Sequence, residues 1–279
     1  MADVHPPIFL VREAVTRALA EDMTPLGDLT ASLLPPETQG RAAVVARAAG
    51  VVAGRLCAEE AFKQVDDTVR TTWRYDDGGE VAAGDVIGEV AGPLASILTA
   101  ERTALNFMCR LSGIASLTRR YVRAAKGNAQ ILDTRKTTPG LRALEKAAVR
   151  AGGGANHRGS LSDFILIKDN HLGGLSIPDA VRRSRLQWPL RTVEVECDTL
   201  DQVHEAIEVG ADVIMLDNMT PAMVQEAARV VAGACPLEVS GGMTLETVEA
   251  YSEAGANFIS VGALTHSAPI LDIALDLGT

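Results

Sequence analysis

VGADVIMLD at residues 209–217 and AGANFISVG at 254–262 are the two stretches of this chain that decide its fold. In each, a glycine ends a helical pattern and a short apolar run follows, as where a helix leads into a buried strand. A third apolar run, Leu237–Ser240, lies between them, and the three runs recur about every 22 residues. This region therefore predicts a β-strand/α-helix repeat. Parallel strands separated by helices form either an open doubly wound sheet or a closed barrel.

Six short β-rich runs, with helices between them, cover the chain from about residue 129. They are Ala129–Arg135, Asp163–Lys168, Thr192–Glu196, Asp212–Asp217, Leu237–Ser240 and Asn257–Gly262. Polar or charged residues stand at the carboxyl end of strand after strand, which is where a barrel places its site. An open sheet would collect them at one switch point. The pattern therefore favours a barrel, and because no GxGxxG follows a strand, it does not indicate a dinucleotide site.

The first hundred or so residues predict a mixed α and β unit. Helical spacing occurs in Ile8–Ala20 and in Cys57–Val65. Strand-like alternation occurs in Gly40–Ala53, and short strands around tight turns are predicted for Gly78–Val90. Leu94–Lys126 then predicts one long helix, in which Gly113 permits a kink or a close contact. We place the domain boundary near this helix.

Composition limits the classes of function. The chain has 279 residues and a formal net charge of -10, which makes non-specific binding to nucleic acid or anionic membrane unexpected. Cys57, Cys109, Cys197 and Cys235 are scattered, without metal-ligand spacing, and indicate idle thiols in a reducing compartment. The start has no secretory leader and no run approaches the ~18 apolar residues of a membrane span. We therefore expect a soluble, cytoplasmic protein.

A basic segment interrupts this acidic background. Between Asp133 and Lys168 only three acids offset His157 and seven other basic residues, Arg135, Lys136, Arg142, Lys146, Arg150, Arg158 and Lys168. Arg135, Lys136 and Lys168 stand at strand ends, and a cation in a barrel mouth needs an anionic partner to offset its desolvation. These three predict a polyanion site. Arg142, Lys146 and Arg150 fall four apart on a predicted helix, which a solvated helix face explains better.

A glycine-rich loop, GGGANHRG at 152–159, lies within the basic segment. Its glycines allow backbone N–H groups to approach a ligand closely, and His157 and Arg158 stand at its end. A flexible turn is the alternative for the glycines alone. Together with the two basic residues, the loop favours ligand binding.

Carboxylates and small turns follow the later strands. The acids at strand ends are Glu194, Glu196 and Asp217. Glu196 and Asp217 each close a predicted strand and suit ribose hydroxyls, Mg²⁺ or positive charge developing at a sugar carbon, with ion pairs to nearby lysines as the alternative. The turns Ser240–Gly242 and Val261–Ala263 lie where barrels often hold a phosphate through backbone N–H groups. The sequence thus predicts a site for a phosphorylated sugar.

These motifs resemble those of the quinolinate phosphoribosyltransferases, also called carboxylating nicotinate-nucleotide pyrophosphorylases. The similar stretches are ERTALN at 101–106, LSGIA at 111–115, DTRKTTPGLR at 133–142, GGGANHR at 152–158, IKDNH at 167–171, EVE at 194–196, LDN at 216–218, SGG at 240–242 and SVGALTHS at 260–267. They span nearly the whole chain.

The resemblance implies a type II phosphoribosyltransferase fold. An N-terminal α/β sandwich at 1–112, joined by the C-terminal tail 268–279, would precede an incomplete parallel α/β barrel at 113–267. It implies transfer of phosphoribosyl from phosphoribosyl pyrophosphate to quinolinate, with decarboxylation, to give nicotinate mononucleotide, pyrophosphate and CO₂ in de novo NAD biosynthesis. It also implies a homodimer, or a hexamer built as a trimer of dimers, in which Arg102 enters the partner's active site.

The resemblance also assigns residues to the two substrates. Quinolinate would be bound by Arg102, Arg135, His157, Arg158 and Lys168. The phosphoribosyl pyrophosphate side would be formed by Lys136, Glu196, Asp217 and the turns Ser240-Gly241-Gly242 and Val261-Gly262-Ala263, with Mg²⁺ on the diphosphate. Thr134 is a further substrate-binding candidate. Lys136, Glu196 and Asp217 would be catalytic, and the two acids would be direct or indirect Mg²⁺ ligands.

Three alternatives stay open at this point. Lys168, ending a strand among other cations, would suit a Schiff-base former in an aldolase-type barrel. Nicotinate phosphoribosyltransferases and a molybdenum-transport-associated paralogue share parts of the motifs, although a substrate with one carboxylate needs fewer cations. A non-catalytic phosphate-binding barrel would have no need for Glu196 and Asp217 facing so many cations.

Overall fold

The computed structural model describes residues 4–278, and its contacts divide the chain into two compact units. Unit 1 contains the chain up to Arg119, Thr137–Gly153 and the chain from Ala263 onward, and unit 2 contains Arg120–Lys136 and Gly154–Gly262. The helices are α1 Ile8–Met23, α2 Arg55–Val65, α3 Leu94–Ala124, α4 Arg142–Ala151, α5 Asp169–Leu172, α6 Ile177–Gln187, α7 Leu200–Glu208, α8 Pro221–Val231, α9 Val248–Glu253 and α10 Ala263–His266. The strands are β1 Gln39–Ala46, β2 Gly50–Val51, β3 Arg70–Trp73, β4 Glu80–Val81, β5 Val86–Pro93, β6 Gln130–Leu132, β7 Ile165–Ile167, β8 Val193–Cys197, β9 Val213–Asp217, β10 Leu237–Ser240, β11 Phe258–Ser260 and β12 Ile273–Leu277.

Unit 1 is built on an antiparallel sheet with the strand order β12-β1-β5-β3. The predicted strand 40–53 is divided into β1 and β2. The last strand of the chain thus completes a sheet that begins near residue 39. Gly113 on α3 lies against the returning segment, because a Cβ at this position would be 2.0 Å from the Pro269 carbonyl oxygen. The glycine is therefore used for a close contact.

The predicted solvated face of α4 is wrong. Leu144 to Val149 are all buried, and Lys146 is only 5% exposed, because α1 and α10 pack against this helix. Glu145 is fully buried and pairs with Arg110 at 2.9 Å. It also accepts from the Thr138 amide at 3.0 Å and the Thr138 hydroxyl at 2.8 Å. Two of the charged residues on α4, Glu145 and Lys146, are thus buried inside unit 1.

Unit 2 is an incomplete parallel α/β barrel, as the sequence predicts. Its six strands are hydrogen-bonded in the order β6-β11-β10-β9-β8-β7, so the first strand lies beside the last. Each of the six predicted runs overlaps one of these strands, and only β8 extends past its run, by one residue to Cys197. Val195, Ile214, Val239 and Ile259 are completely buried, as expected for parallel strands covered by helices.

Well-formed helix starts follow three of the strands. Ser176, Thr199 and Thr220 cap α6, α7 and α8, and each side-chain oxygen accepts a backbone N–H of the first turn. These caps fix the loops that leave the carboxyl edge of the sheet. Within residues 4–278, we find no helix with the length and apolar character needed to cross a membrane.

Candidate active site

Strand β8 places two glutamates on the same face of the sheet. Val193, Val195 and Cys197 point to the opposite face and are fully buried. Glu194 is 1% exposed, whereas Glu196, two residues closer to the carboxyl edge, is only partly buried. The two carboxylates therefore lie at different depths along one strand.

Glu194 belongs to a buried cluster with His157 and Glu238. His157 Nε2 lies 3.1 Å from Glu194 Oε2 and 3.3 Å from Glu238 Oε2. Glu238, on β10, is 2% exposed, and its other oxygen accepts from the Ser260 hydroxyl at 2.5 Å. The His157 ring meets the Phe164 ring edge-on, with 5.0 Å between the centroids. These contacts restrain the imidazole from several sides.

The electrostatics of this cluster favour a protonated histidine. Burial alone would lower the pKa of His157, but the hydrogen bonds and charges of Glu194 and Glu238 outweigh it and raise the pKa from 6.5 to about 9. Burial raises the pKa of Glu194 from 4.5 to about 7, against the opposing effect of His157. At neutral pH the ring is therefore an imidazolium between two acids.

Asp133 fixes the end of the glycine-rich loop to the end of β6. Its fully buried carboxylate accepts from the His157 amide at 2.9 Å and from the Asn156 side chain at 2.6 Å. The Ala155 amide donates to the Ile131 carbonyl at 2.8 Å, so the loop briefly continues the sheet. The loop is thus held by side-chain and backbone bonds where His157 and Arg158 begin.

Two arginines share the same electrostatic environment. Burial, and then the positive charge of Arg135, lower the pKa of Arg158, while Glu194 and Asp163 partly offset this. The Arg158 guanidinium lies 5.8 Å from the centre of the Phe164 ring. The positive charge of Arg135 thus lies near Arg158, and an anion bound beside both would offset it.

Lys168 and Glu196 form an ion pair nearer to the carboxyl edge. The side chain of Lys168 is 38% exposed and that of Glu196 is 10% exposed. Lys136 is exposed, and its backbone amide donates to the Thr134 hydroxyl at 3.0 Å. Lys136 and Lys168 are thus more exposed than His157, whose side chain is 9% exposed.

The turn after β10 packs tightly on the end of β9. Asn218 donates to Asp217 Oδ2 at 2.7 Å, and its own amide donates to the Ser240 carbonyl at 3.0 Å. Gly241 has φ +101°, and a Cβ there would lie 2.2 Å from Asn218 Oδ1. Only glycine fits this position, which brings the Ser240–Gly242 backbone beside Asp217.

The structure brings most of the candidate residues into unit 2. Arg135, His157, Arg158, Lys168, Glu196, Asp217 and the Ser240–Gly242 turn all belong to it, at or beyond the carboxyl ends of its strands. In the second late turn, the Val261 amide donates to the Leu132 carbonyl at 2.9 Å, and Ala263 opens α10 of unit 1. Arg102 is exposed on α3 in unit 1. The substrate roles of these residues stay predictions.

Glu238, Ser260 and the loop-fixing role of Asp133 are not among the predicted site features. The available signal for Glu238 is an acid inside the apolar run Leu237–Ser240, a position that usually carries an aliphatic side chain. Glu194 occupies a similar position in β8. A pair of acids inside two buried strands predicts a buried cation, but the sequence does not identify which one.

Two groups of residues have donors that suit a metal ion. Within residues 4–278, His157, Glu194 and Glu238 bring their ligand atoms within 4.8 Å of one another. Glu196 and Asp217 offer only carboxylate oxygens, which Mg²⁺ prefers, and one or two such acids suffice when substrate phosphates supply the remaining ligands. The second pair therefore fits a Mg²⁺ ion held mainly by a diphosphate.

Comparison with known proteins covers almost the whole chain. Residues 28–112 match the sequence model of the quinolinate phosphoribosyl transferase N-terminal domain, and residues 114–276 match that of its C-terminal domain. The probable nicotinate-nucleotide pyrophosphorylase [carboxylating] of Bacillus subtilis is 45% identical over 254 residues, 90% of this chain and 88% of that protein. The Mycobacterium leprae nicotinate-nucleotide pyrophosphorylase [carboxylating] is 42% identical over 276 residues, 95% of this chain and 96% of that protein. The solved nicotinate-nucleotide pyrophosphorylase of Francisella tularensis has a TM-score of 0.94 at 39% identity and covers 99% of both chains.

Proposed function

The chain belongs to the quinolinate phosphoribosyltransferase family, and from this premise we propose how its own residues carry out the reaction. The enzyme transfers phosphoribosyl from phosphoribosyl pyrophosphate to quinolinate with decarboxylation, giving nicotinate mononucleotide, pyrophosphate and CO₂ in de novo NAD biosynthesis. It is therefore neither an aldolase-type enzyme nor a non-catalytic binding protein.

The effect of the Arg135 charge on the pKa of Arg158 is the single observation that carries the assignment of the quinolinate pocket, because such an effect requires the two guanidinium groups to lie near each other. Quinolinate has two carboxylates, and arginine forks pair with carboxylates in a bidentate manner. His157 and Lys168 add two more cations in the same unit. A substrate with one carboxylate would not need this number of positive groups.

The residues at the carboxyl ends of β8, β9 and β10 form the proposed phosphoribosyl side. Glu196 and Asp217 hold the ribose hydroxyls and help to stabilise positive charge at the anomeric carbon as diphosphate leaves. The Ser240–Gly242 and Val261–Ala263 turns offer backbone N–H groups to the phosphate, and Lys136 neutralises the leaving group. Mg²⁺ on the diphosphate, held by Glu196 and Asp217 directly or through water, would add a Lewis acid at that group.

The reaction needs no covalent intermediate on the enzyme. The pyridine nitrogen bonds to the anomeric carbon, which makes the ring cationic. The bond between C2 and its carboxylate then breaks, CO₂ leaves, and the electron pair stays at C2 beside the cationic nitrogen until a proton replaces it. The contribution of the protein is positioning and charge complementarity.

The direct test of the proposed reaction supplies quinolinate, phosphoribosyl pyrophosphate and Mg²⁺ together. Equal amounts of CO₂ and nicotinate mononucleotide are expected, and a parallel assay with nicotinate as the acceptor should give much less product. Product without CO₂, or equal use of nicotinate, would contradict the assignment. Chelation of Mg²⁺ should stop turnover, and excess Mg²⁺ should restore it.

Arg102 supports the proposal of a homodimer, or of a hexamer built from dimers. It is exposed on α3, and in this proposal its guanidinium completes the quinolinate pocket of the partner subunit. Arg102→Ala and Asp217→Ala should each be inactive. Co-refolded equal mixtures should recover roughly a quarter of wild-type activity. About half of the dimers contain one chain of each variant, and one of the two sites in each of these mixed dimers is intact. No recovery would mean that Arg102 acts within its own chain.

A cytoplasmic location is also part of the proposal. It is supported by the four cysteines, all of which are free thiols in the structure, as expected in a reducing compartment.

A further inference from the structure

Glu194 and Glu238 have no role in the reaction described above, although both are buried beside His157. We propose that these two glutamates are positioning residues, which hold the His157 ring in one orientation as the cation that receives a quinolinate carboxylate. The inference deepens the proposed function and rests on the placement of His157 in the quinolinate pocket.

The burial of the two acids is the first argument. Removing a carboxylate from water costs several kcal/mol unless a cation or hydrogen-bond donors offset it, and two neighbouring carboxylates repel each other. Glu194 and Glu238 are 1% and 2% exposed and come from strands separated by β9. Both approach the same atom, His157 Nε2. The imidazolium is therefore the group that makes this pair of acids tolerable.

The geometry around the ring is the second argument. The acids restrain Nε2, Phe164 packs edge-on against the ring, and the His157 amide is bonded to Asp133. Ser260 donates to Glu238 and so orients the acid itself. A histidine held on all these sides loses little conformational freedom when a substrate binds, which is the benefit of preorganisation.

The unequal environments of the acids are the third argument. Both oxygens of Glu238 contact another side chain, whereas Glu194 Oε1 is buried and has no hydrogen-bond partner among the described residues. Glu238 is thus the better-fixed anchor, whereas Glu194 contacts the ring through one oxygen only. Glu238→Gln and Glu194→Gln preserve the shape of each side chain and separate the two contributions.

A competing explanation makes the opposite prediction. If the two acids only reduced the positive charge of the pocket, removing one would strengthen the binding of a dianion. If the two acids position His157, removing either acid should weaken the binding of the dianion. The direction of the change in KM for quinolinate therefore distinguishes the two roles.

The experiment measures steady-state kinetics with quinolinate and phosphoribosyl pyrophosphate varied in turn. Wild type, His157→Ala, Glu238→Gln, Glu194→Gln and the double variant H157A/E238Q are compared, with Glu226→Gln on the exposed side of α8 as a matched control. We expect KM for quinolinate to rise about tenfold in His157→Ala and several-fold in Glu238→Gln, with KM for phosphoribosyl pyrophosphate unchanged. In the double variant, the glutamine should add no further change, because Glu238 acts through His157.

The outcomes separate the inference from the proposed function. A normal KM for quinolinate in His157→Ala would overturn the placement of His157 in the pocket and the inference with it. A raised KM in His157→Ala, but normal or lowered values in Glu238→Gln and Glu194→Gln, would overturn the inference alone. Equal increases in the KM values of both substrates, or a stoichiometric transition metal in the purified enzyme that is lost in Glu238→Gln, would also overturn it. If Glu238→Gln does not fold, Glu194→Gln alone decides the result.

Discussion

Glu194 and Glu196 lie two residues apart on one face of β8, but their partners make them different kinds of acid. Glu194 is 1% exposed and shares a buried histidine with Glu238, whereas Glu196 pairs with a lysine whose side chain is 38% exposed. A buried pair is expensive to break, because the remaining charge has no water to replace its partner. A partly exposed pair can separate and form again at little cost. Depth along a single strand thus distinguishes a fixed counter-ion from one that a substrate can displace.

The largest expected difference between the two acids is the loss of stability when the cation beside each is removed. His157→Ala leaves the buried Glu194–Glu238 pair without its cation and should lower the free energy of unfolding by about 3–5 kcal/mol. Lys168→Ala leaves one carboxylate, which is 10% exposed and has lost a partner that was itself 38% exposed, and should lower it by about 1 kcal/mol. Urea unfolding at pH 7, followed by circular dichroism, measures both. Similar losses in the two variants would mean that burial does not separate the pairs.

The two cations Arg135 and Lys136, at the end of β6, should affect turnover more than stability. We expect Arg135→Ala and Lys136→Ala each to lose at least ~2 kcal/mol of transition-state stabilisation, more than tenfold in kcat/KM, because each removes a cation placed to meet a substrate anion. Their unfolding midpoints should stay near that of wild type. Arg229→Ala, which removes an exposed cation paired with Glu226 on α8, is the matched control. Near-wild-type turnover of both variants would reject the site assignment.

Residues at the ends of strands can be assigned from the sequence more reliably than residues buried inside the strands. The strand ends are predictable, because a charged residue that closes an apolar run must lie at the edge of a sheet. This reasoning identified the positions of Asp217 and Lys168, whereas Glu196 is followed by Cys197 before β8 ends. The partners of Glu194 are not predictable, because an apolar run does not reveal which side chain from another element will fill the space beside it. Lys146 is a similar case, since its four-residue spacing from Arg142 and Arg150 resembles a solvated face, yet α1 and α10 cover this helix.

The pH dependence of quinolinate binding tests the charge of the buried His157 beside Glu194 and Glu238. The pKa of His157 is raised to about 9 in the folded protein from 6.5, so the stabilisation that the charged ring provides is complete below pH 6.5 and is lost as the pH rises through about 9. The groups facing the ring are Glu194 on β8 and Glu238 on β10, with Asp133 bonded to its amide. We expect KM for quinolinate to increase by up to about tenfold between pH 7 and pH 10.

The matching control is His157→Ala, in which this step in the pH profile should disappear while the effects of other titrating groups persist. KM for phosphoribosyl pyrophosphate measured over the same range reports those other effects. A step of unchanged size in the variant would assign the titration to a different group.

Salt should change the stability losses of these variants only slightly, but it should act on the Lys168–Glu196 pair and not on the buried His157 cluster. The Debye length falls from about 10 Å at 0.1 M to about 3 Å at 1 M, so charges that water can reach are screened and buried ones are screened much less. The stability difference between wild type and Lys168→Ala should therefore shrink by a few tenths of a kcal/mol over this range, whereas that of His157→Ala should stay constant. Urea unfolding of the three proteins at several NaCl concentrations measures this. If the His157→Ala difference also shrinks, solvent reaches the Glu194–Glu238 pair, and the distinction between the two depths of β8 fails.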